Sequence, residues 1–170
     1  MAVPRGDEGQ GQPGVDLSKV VVRVIVGCSD YAMESRIHNV AFLAEWEYVR
    51  TKQRGDRDEF DRITDLVYKP QFEGVRSDDL HFTIEAMAAA DELETDMTTV
   101  NERLRTVYHL PTGDTPEYPD LPGLDIVAEV ARRYRSETID ELVTHVQRTT
   151  PYQNASIDEP IRFRQPWDAV

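Results

Sequence analysis

The sequence has one cysteine, Cys28, and only three lysines, Lys19, Lys52 and Lys69, among 170 residues. A lone thiol excludes an internal disulfide and a cysteine-built zinc cluster. Cys28 ends the apolar run VVRVIVGC, the setting of a small buried residue rather than a nucleophile. No apolar run reaches the roughly 18 residues that a membrane span needs. The opening MAVPRGDEGQGQPGVD has no apolar stretch of the secretory type. These absences lead us to expect a cytoplasmic protein without a membrane partner.

Catalytic signatures are equally scarce. His38, His81, His109 and His145 stand apart in the sequence, with no HExxH and no His-x-His spacing. The glycines of GDEGQGQPG follow no strand pattern, so they do not make a phosphate loop. DRDEFDRITD resembles a calcium loop but lacks its central glycine and terminal glutamate. No serine lies in a nucleophile elbow. Paired acids such as Asp78-Asp79 are read as caps and solvated faces, because 32 acidic residues make chance pairs common. The expectation is a non-enzymatic chain with no cofactor and no metal.

What is abundant is acid. The 32 Asp and Glu against 19 Lys and Arg leave a net charge of −13, and sixteen of the basic residues are arginine. Carboxylates hold a hydrated surface, and their mutual repulsion is screened in molar salt, where the Debye length falls to about 3 Å. This composition suits a halophilic, archaeal source. It opposes broad contact with a phosphate backbone, which needs a positive surface.

Hydrophobic spacing organises the rest. Residues 1–15 read as a disordered tail, 16–155 as one domain and 156–170 as a C-terminal extension. Leu17, Val20, Val21, Val24 and Ile25 recur at helical spacing behind Asp16 or Ser18 as a cap, although the β-branched run also permits a strand. From Glu34 to Gln53, Ile37, Val40, Ala41, Ala44 and Tyr48 form a stripe that Phe42, Leu43 and Trp46 widen past half the circumference. Such a helix must be covered on several sides, so Arg36–Gln53 is expected to run through the domain centre. LVYKPQFEG is extended around Pro70. Ser77 caps a helix whose apolar face is Leu80, Ile84 and Met87 with Phe82 and Ala88.

Leu93 to Thr99 and Leu104 to Tyr108 alternate around Asn101-Glu102, the pattern of a β-hairpin. Two amphipathic helices follow, LDIVAEVARRYR and SETIDELVTHVQRT, with Ser136, Glu137 and Asp140 as start signals for the second. Phe163 and Trp167 can dock back on the core. The fold class is therefore α+β, mostly helical, with a small antiparallel hairpin and winged-helix-like elements.

Three stretches of this chain resemble the Panacea family, the SocA-like antitoxin domain. SRIHNVAFLAEWEYV (Ser35–Val49) is similar to its early apolar helix, with Phe42–Glu45 the nearest part. Val67–Met87, with the Asp79-Leu80 step, resembles its extended segment and following helix, and Ile139–Ala155 resembles its closing motif. Asn39 stands where the family usually has lysine. The likeness spans about Val20 to Ala155. It implies a non-enzymatic domain that neutralises a partner protein such as a cognate toxin, or delivers it to a protease.

Two surfaces are candidates for such contacts. Tyr68, Pro70 and Phe72 make an aromatic extended segment, and Arg132, Arg133 and Arg135 flank Tyr134 in a helix end. Arginine and tyrosine are enriched at interface hot spots. A homodimer is also compatible. The alternative is a winged-helix DNA-binding regulator, in which Ser77–Glu92 would read bases and Arg103 and Arg105 of the hairpin tip would touch a minor groove. Asp78, Asp79, Glu85, Asp91 and Glu92 would then face phosphates. The charge reading itself is testable: the thermal unfolding midpoint should rise as KCl goes from about 0.1 to about 2 M. A flat or falling midpoint would contradict a surface under self-repulsion.

Overall fold

The computed structural model describes residues 16–30, 32–52, 62–114 and 118–163. The expected tail at 1–15, Gln53, most of the charged loop and Trp167 lie outside them.

The first helix, α1 (Leu17–Gly27), starts on Asp16, whose side chain accepts from the Lys19 amide at 3.3 Å. Its valines leave the local preference open between helix and strand. Burial decides: Val21, Val22, Val24, Ile25 and Val26 all pack into the core. A two-residue strand, β1 (Ala32–Met33), leads directly into α2 (Glu34–Lys52).

Every residue of α2 from Arg36 to Trp46 is buried. The helix packs against α1 and against α3 (Asp78–Ala89), α4 (Leu124–Arg133) and α5 (Ile139–Gln147). This is the central placement that its broad stripe implies. A short hairpin, β2 (Lys69–Gln71) and β3 (Gly74–Arg76), covers another side.

Gly74 at the hairpin turn has φ of +97°, and a Cβ there would sit 2.1 Å from Asn39 Oδ1. Only glycine allows both the backbone conformation and that approach. Gly123, just before α4, is similarly placed: a Cβ would lie 2.6 Å from Ile63 Cγ1.

The second hairpin, β4 (Glu94–Val100) and β5 (Arg103–His109), turns at Asn101-Glu102. Both turn residues have positive φ, 49° and 64°, as a two-residue type I′ turn requires. With β1 this hairpin makes an antiparallel sheet ordered β1-β5-β4. The element order is α1-β1-α2-β2-β3-α3-β4-β5, an α+β and mostly helical arrangement. A final short helix, α6 (Thr150–Gln153), carries Pro151 in its first turn.

Several expectations need correction. The cap of α5 is Thr138 rather than Ser136: its hydroxyl accepts from the Glu141 amide at 3.2 Å while Glu141 accepts from the Thr138 amide at 2.8 Å. Phe82 is 64% exposed, outside the buried face of α3 formed by Leu80, Ile84 and Met87. The alternation of β4 does not mark one buried face, since Met97 is 59% exposed and the strand projects beyond the core. Within the C-terminal extension, residues 156–160 are exposed, while Ile161 and Phe163 dock on the core, as expected for Phe163. The Ile161 amide donates to Tyr68 O at 2.8 Å, and Phe163 packs on Phe42 with ring centroids 5.1 Å apart. Among the described residues, no helix is long and apolar enough to cross a membrane.

Candidate functional site

Four polar side chains of α2 are buried, and each reaches a different neighbouring segment. Arg36 donates to Tyr134 O at 3.0 Å and to Glu137 O. His38 Nδ1 accepts from the Ser77 amide at 3.1 Å, at the start of α3. Asn39 donates to Glu73 O at 2.8 Å and accepts from the Val75 amide at 3.1 Å. Glu45 accepts from the Ile63 and Thr64 amides at 3.0 and 2.8 Å. A buried polar group left unpaired costs about 1–3 kcal/mol, so these contacts set where the covering segments lie.

One consequence is a cleft of about 430 Å³ between the two hairpins. One wall is the β2–β3 turn with Phe72 and Glu73, and the other is Arg103 to Thr106 of β5. The floor is the start of α2, with Met33, Glu34, Ser35 and His38. Arg105 donates to Glu73 Oε1 at 2.7 Å and ties the walls together. Phe72 is 97% exposed and Leu104 67% exposed, so apolar surface meets water on both walls. Arg103 has no ion pair among the described residues.

Beside the floor, Glu34 Oε1 lies 3.2 Å from His38 Nε2 and also contacts His81 Nδ1. His81 Nε2 in turn lies 3.2 Å from Glu85. Because His38 Nδ1 receives the Ser77 amide hydrogen, the proton on its other nitrogen points to Glu34. Burial pushes the Glu34 carboxyl up, but the hydrogen bonds from His38 and His81 outweigh it and hold the group down at about 2. The two histidines that stand apart in sequence are thus joined through one carboxylate. The partners of their rings are Glu34, Glu85 and an amide, with no hydroxyl or thiol among them. No group of three or more His, Cys, Asp or Glu among the described residues could hold a metal. The cluster braces α2 against α3 and sets the electrostatics of the cleft floor.

The candidates from the sequence are dispersed by the fold. Tyr68 is 0% exposed, packed edge-on against Phe42 at 5.5 Å, so it belongs to the core and not to a contact surface. Burial, seconded by the Glu45 charge, pushes its phenol well up. Pro70 is half-buried in β2, and Phe72 alone of that trio is fully presented.

Arg132, Arg133 and Arg135 are exposed but do not gather. Arg133 donates to Glu129 at 2.8 Å and lines a separate hollow of about 200 Å³ with Trp46, Tyr134 and His145. Arg135 donates to Asp30 at 2.5 Å, a contact that holds the Asp30 carboxyl below its usual range. Arg103 and Arg105, the candidate nucleic-acid contacts, both line the large cleft, with Arg105 already paired.

Sequence reasoning missed Leu104 as a surface residue and Glu34, His38 and His81 as a cluster. The i,i+4 pairs Glu34–His38 and His81–Glu85 were the available signal. Comparison with known proteins adds no relative: no family model, no curated protein and no solved structure matches the chain.

The Glu34 cluster makes a pH prediction. The folded carboxyl titrates at about 2, below the ordinary 4.5, so its stabilisation is complete above pH 4.5 and is lost as pH falls toward 2. Replacing Glu34 by Gln should cost about 1–2 kcal/mol near neutrality after allowing for solvent screening. In urea melts the gap between variant and wild type should close across that acid window. A gap independent of pH would refute the ionised arrangement.

Proposed function

We propose that this chain is a non-enzymatic protein-interaction domain of the SocA-like antitoxin type, which neutralises or delivers a partner protein held at the cleft between the hairpins. The observation that carries this reading is the pairing of Phe72 and Leu104, two highly exposed apolar side chains, across a cleft whose walls are tied in place. A fixed apolar patch beside an arginine is the makeup of an interface centre. The acidic composition supports a cytoplasmic, high-salt setting for that encounter.

A winged-helix regulator remains the second reading, and the β1-β5-β4 strand order favours it. Charge opposes it. Asp78, Asp79 and Glu85 are exposed on α3, the helix that would enter the groove, and they would meet phosphates.

Co-expression separates the two. Under the antitoxin reading, the product of a neighbouring small reading frame arrests growth alone, the wild-type chain restores it, and Phe72→Glu abolishes rescue while keeping a cooperative melt. Full rescue by Phe72→Glu would remove the cleft from the mechanism. Duplex DNA binding that falls when Arg103 and Arg105 become Glu would favour the regulator.

A further inference from the structure

The cleft wall formed by β5 is an unfilled strand position. Arg103, Leu104, Arg105 and Thr106 all line the cleft. Successive side chains of a strand point to opposite faces, so four consecutive residues can border one hollow only if the strand turns its edge toward it. The ladder says the same. The two-residue turn closes on the pair Val100 and Arg103. In an antiparallel ladder hydrogen-bonded pairs alternate with open ones, so Arg103, Arg105 and Val107 spend their backbone groups on β4.

Leu104, Thr106 and Tyr108 therefore direct their amides and carbonyls to the other edge. There β1 covers Tyr108 and Val107 and then ends, because the chain turns into α2 at Glu34. The pairing of Met33 with Val107 commits the Thr106 carbonyl to the Glu34 amide, so the Leu104 amide and carbonyl and the Thr106 amide are left facing the cleft.

We propose that this edge takes up an extended segment of another protein, added as a strand antiparallel to β5 in line with β1, with acidic and apolar residues alternating. The proposal rests on the protein-interaction reading and names its mode. Side chains of the incoming strand would alternate between the face of Arg103 and Arg105 and the face of Leu104 and Thr106. Acids on the first face meet Arg103, which is unpaired among the described residues, and Arg105, which also holds Glu73. Apolar residues on the second face cover Leu104. Glu34 and Glu73 at the cleft border favour a ligand whose acids lie on the arginine side only. A second copy of this chain fits poorly. Symmetric antiparallel pairing through Leu104 and Thr106 would set Arg105 opposite its own counterpart, and like charges directly opposed are destabilising.

The probe is a capped hexapeptide of alternating valine and glutamate, compared with one of valine and lysine, titrated into the full chain and followed by amide NMR and hydrogen exchange. The valine–glutamate peptide should bind more tightly than the lysine peptide and slow exchange at the Leu104 and Thr106 amides. Arg103→Glu should weaken it by about tenfold. Thr106→Pro, which removes only an outward amide and leaves the β4 ladder intact, should weaken it by about fivefold or more. Thr106→Val should bind as wild type does.

Preference for the lysine peptide, or protection at Thr95, Met97 and Thr99 on the outer edge of β4, would overturn the proposal. So would wild-type binding by Thr106→Pro, or peptide-independent dimerisation through β5. If Thr106→Pro does not fold, the wild-type exchange pattern and Arg103→Glu still decide. Growth rescue that survives in Thr106→Pro would sink strand addition while leaving the interaction domain standing. Duplex DNA protecting the same amides in place of the peptide would sink both.

Discussion

A helical stretch enclosed on all sides must draw partners for its polar side chains from within the protein, and the Arg36–Trp46 part of α2 carries four that are almost wholly buried: Arg36, His38, Asn39 and Glu45. None of them can turn to water. Each bonds instead to backbone groups of a neighbouring segment, and of their buried polar atoms Arg36 Nε alone is left without a partner among the described residues. Arg36 serves the turn after α4, His38 the start of α3, Asn39 the β2–β3 turn and Glu45 the irregular stretch at Ile63 and Thr64. The apolar stripe of α2 supplies the burial, at about 25 cal/mol for each Å² removed from water. Its polar side chains decide the register in which the rest of the chain wraps it.

The cleft follows from that register. Asn39 holds the β2–β3 turn from both sides, and Gly74 lets the backbone come close enough to be held. The turn then presents Phe72 to solvent, and its Glu73 receives Arg105 from the opposite hairpin. A two-stranded ribbon is marginal alone in water. Here β1 and the Arg105 contact anchor the base of the ribbon, while Met97 and Leu104 near its tip stay exposed. The outcome is a braced frame with an open strand edge at Leu104, a geometry suited to peptide capture by main-chain hydrogen bonds. The histidines and Glu34 brace α2 against α3 beneath that edge.

How much of this can be read from sequence depends on whether the signal is periodic. The breadth of the α2 stripe implies enclosure, and the alternating runs around Asn101-Glu102 place the hairpin and its turn. Ser77 marked the start of α3 correctly because its capping contact is local. Non-local pairings left no such trace. Tyr68 reads as a surface aromatic in VYKPQF, but it precedes β2 and packs on Phe42, while Phe72 lies in the turn after β2 and faces water. Phe82 is apolar but lies two residues from both Leu80 and Ile84, a spacing that turns it away from their face, and it is 64% exposed. The meeting of Glu34 with His81 joins residues 47 positions apart, and only the packing of α2 on α3 creates it.

Native-state hydrogen exchange across α2 tests the central claim most directly. If the helix is the enclosed strut that the other segments depend on, the amides from Ile37 to Val49 exchange only through global unfolding. Their opening free energies then equal the stability measured by denaturant, while amides at the hairpin tip exchange far faster. Exchange of the α2 amides through local opening, well below the global value, would contradict it.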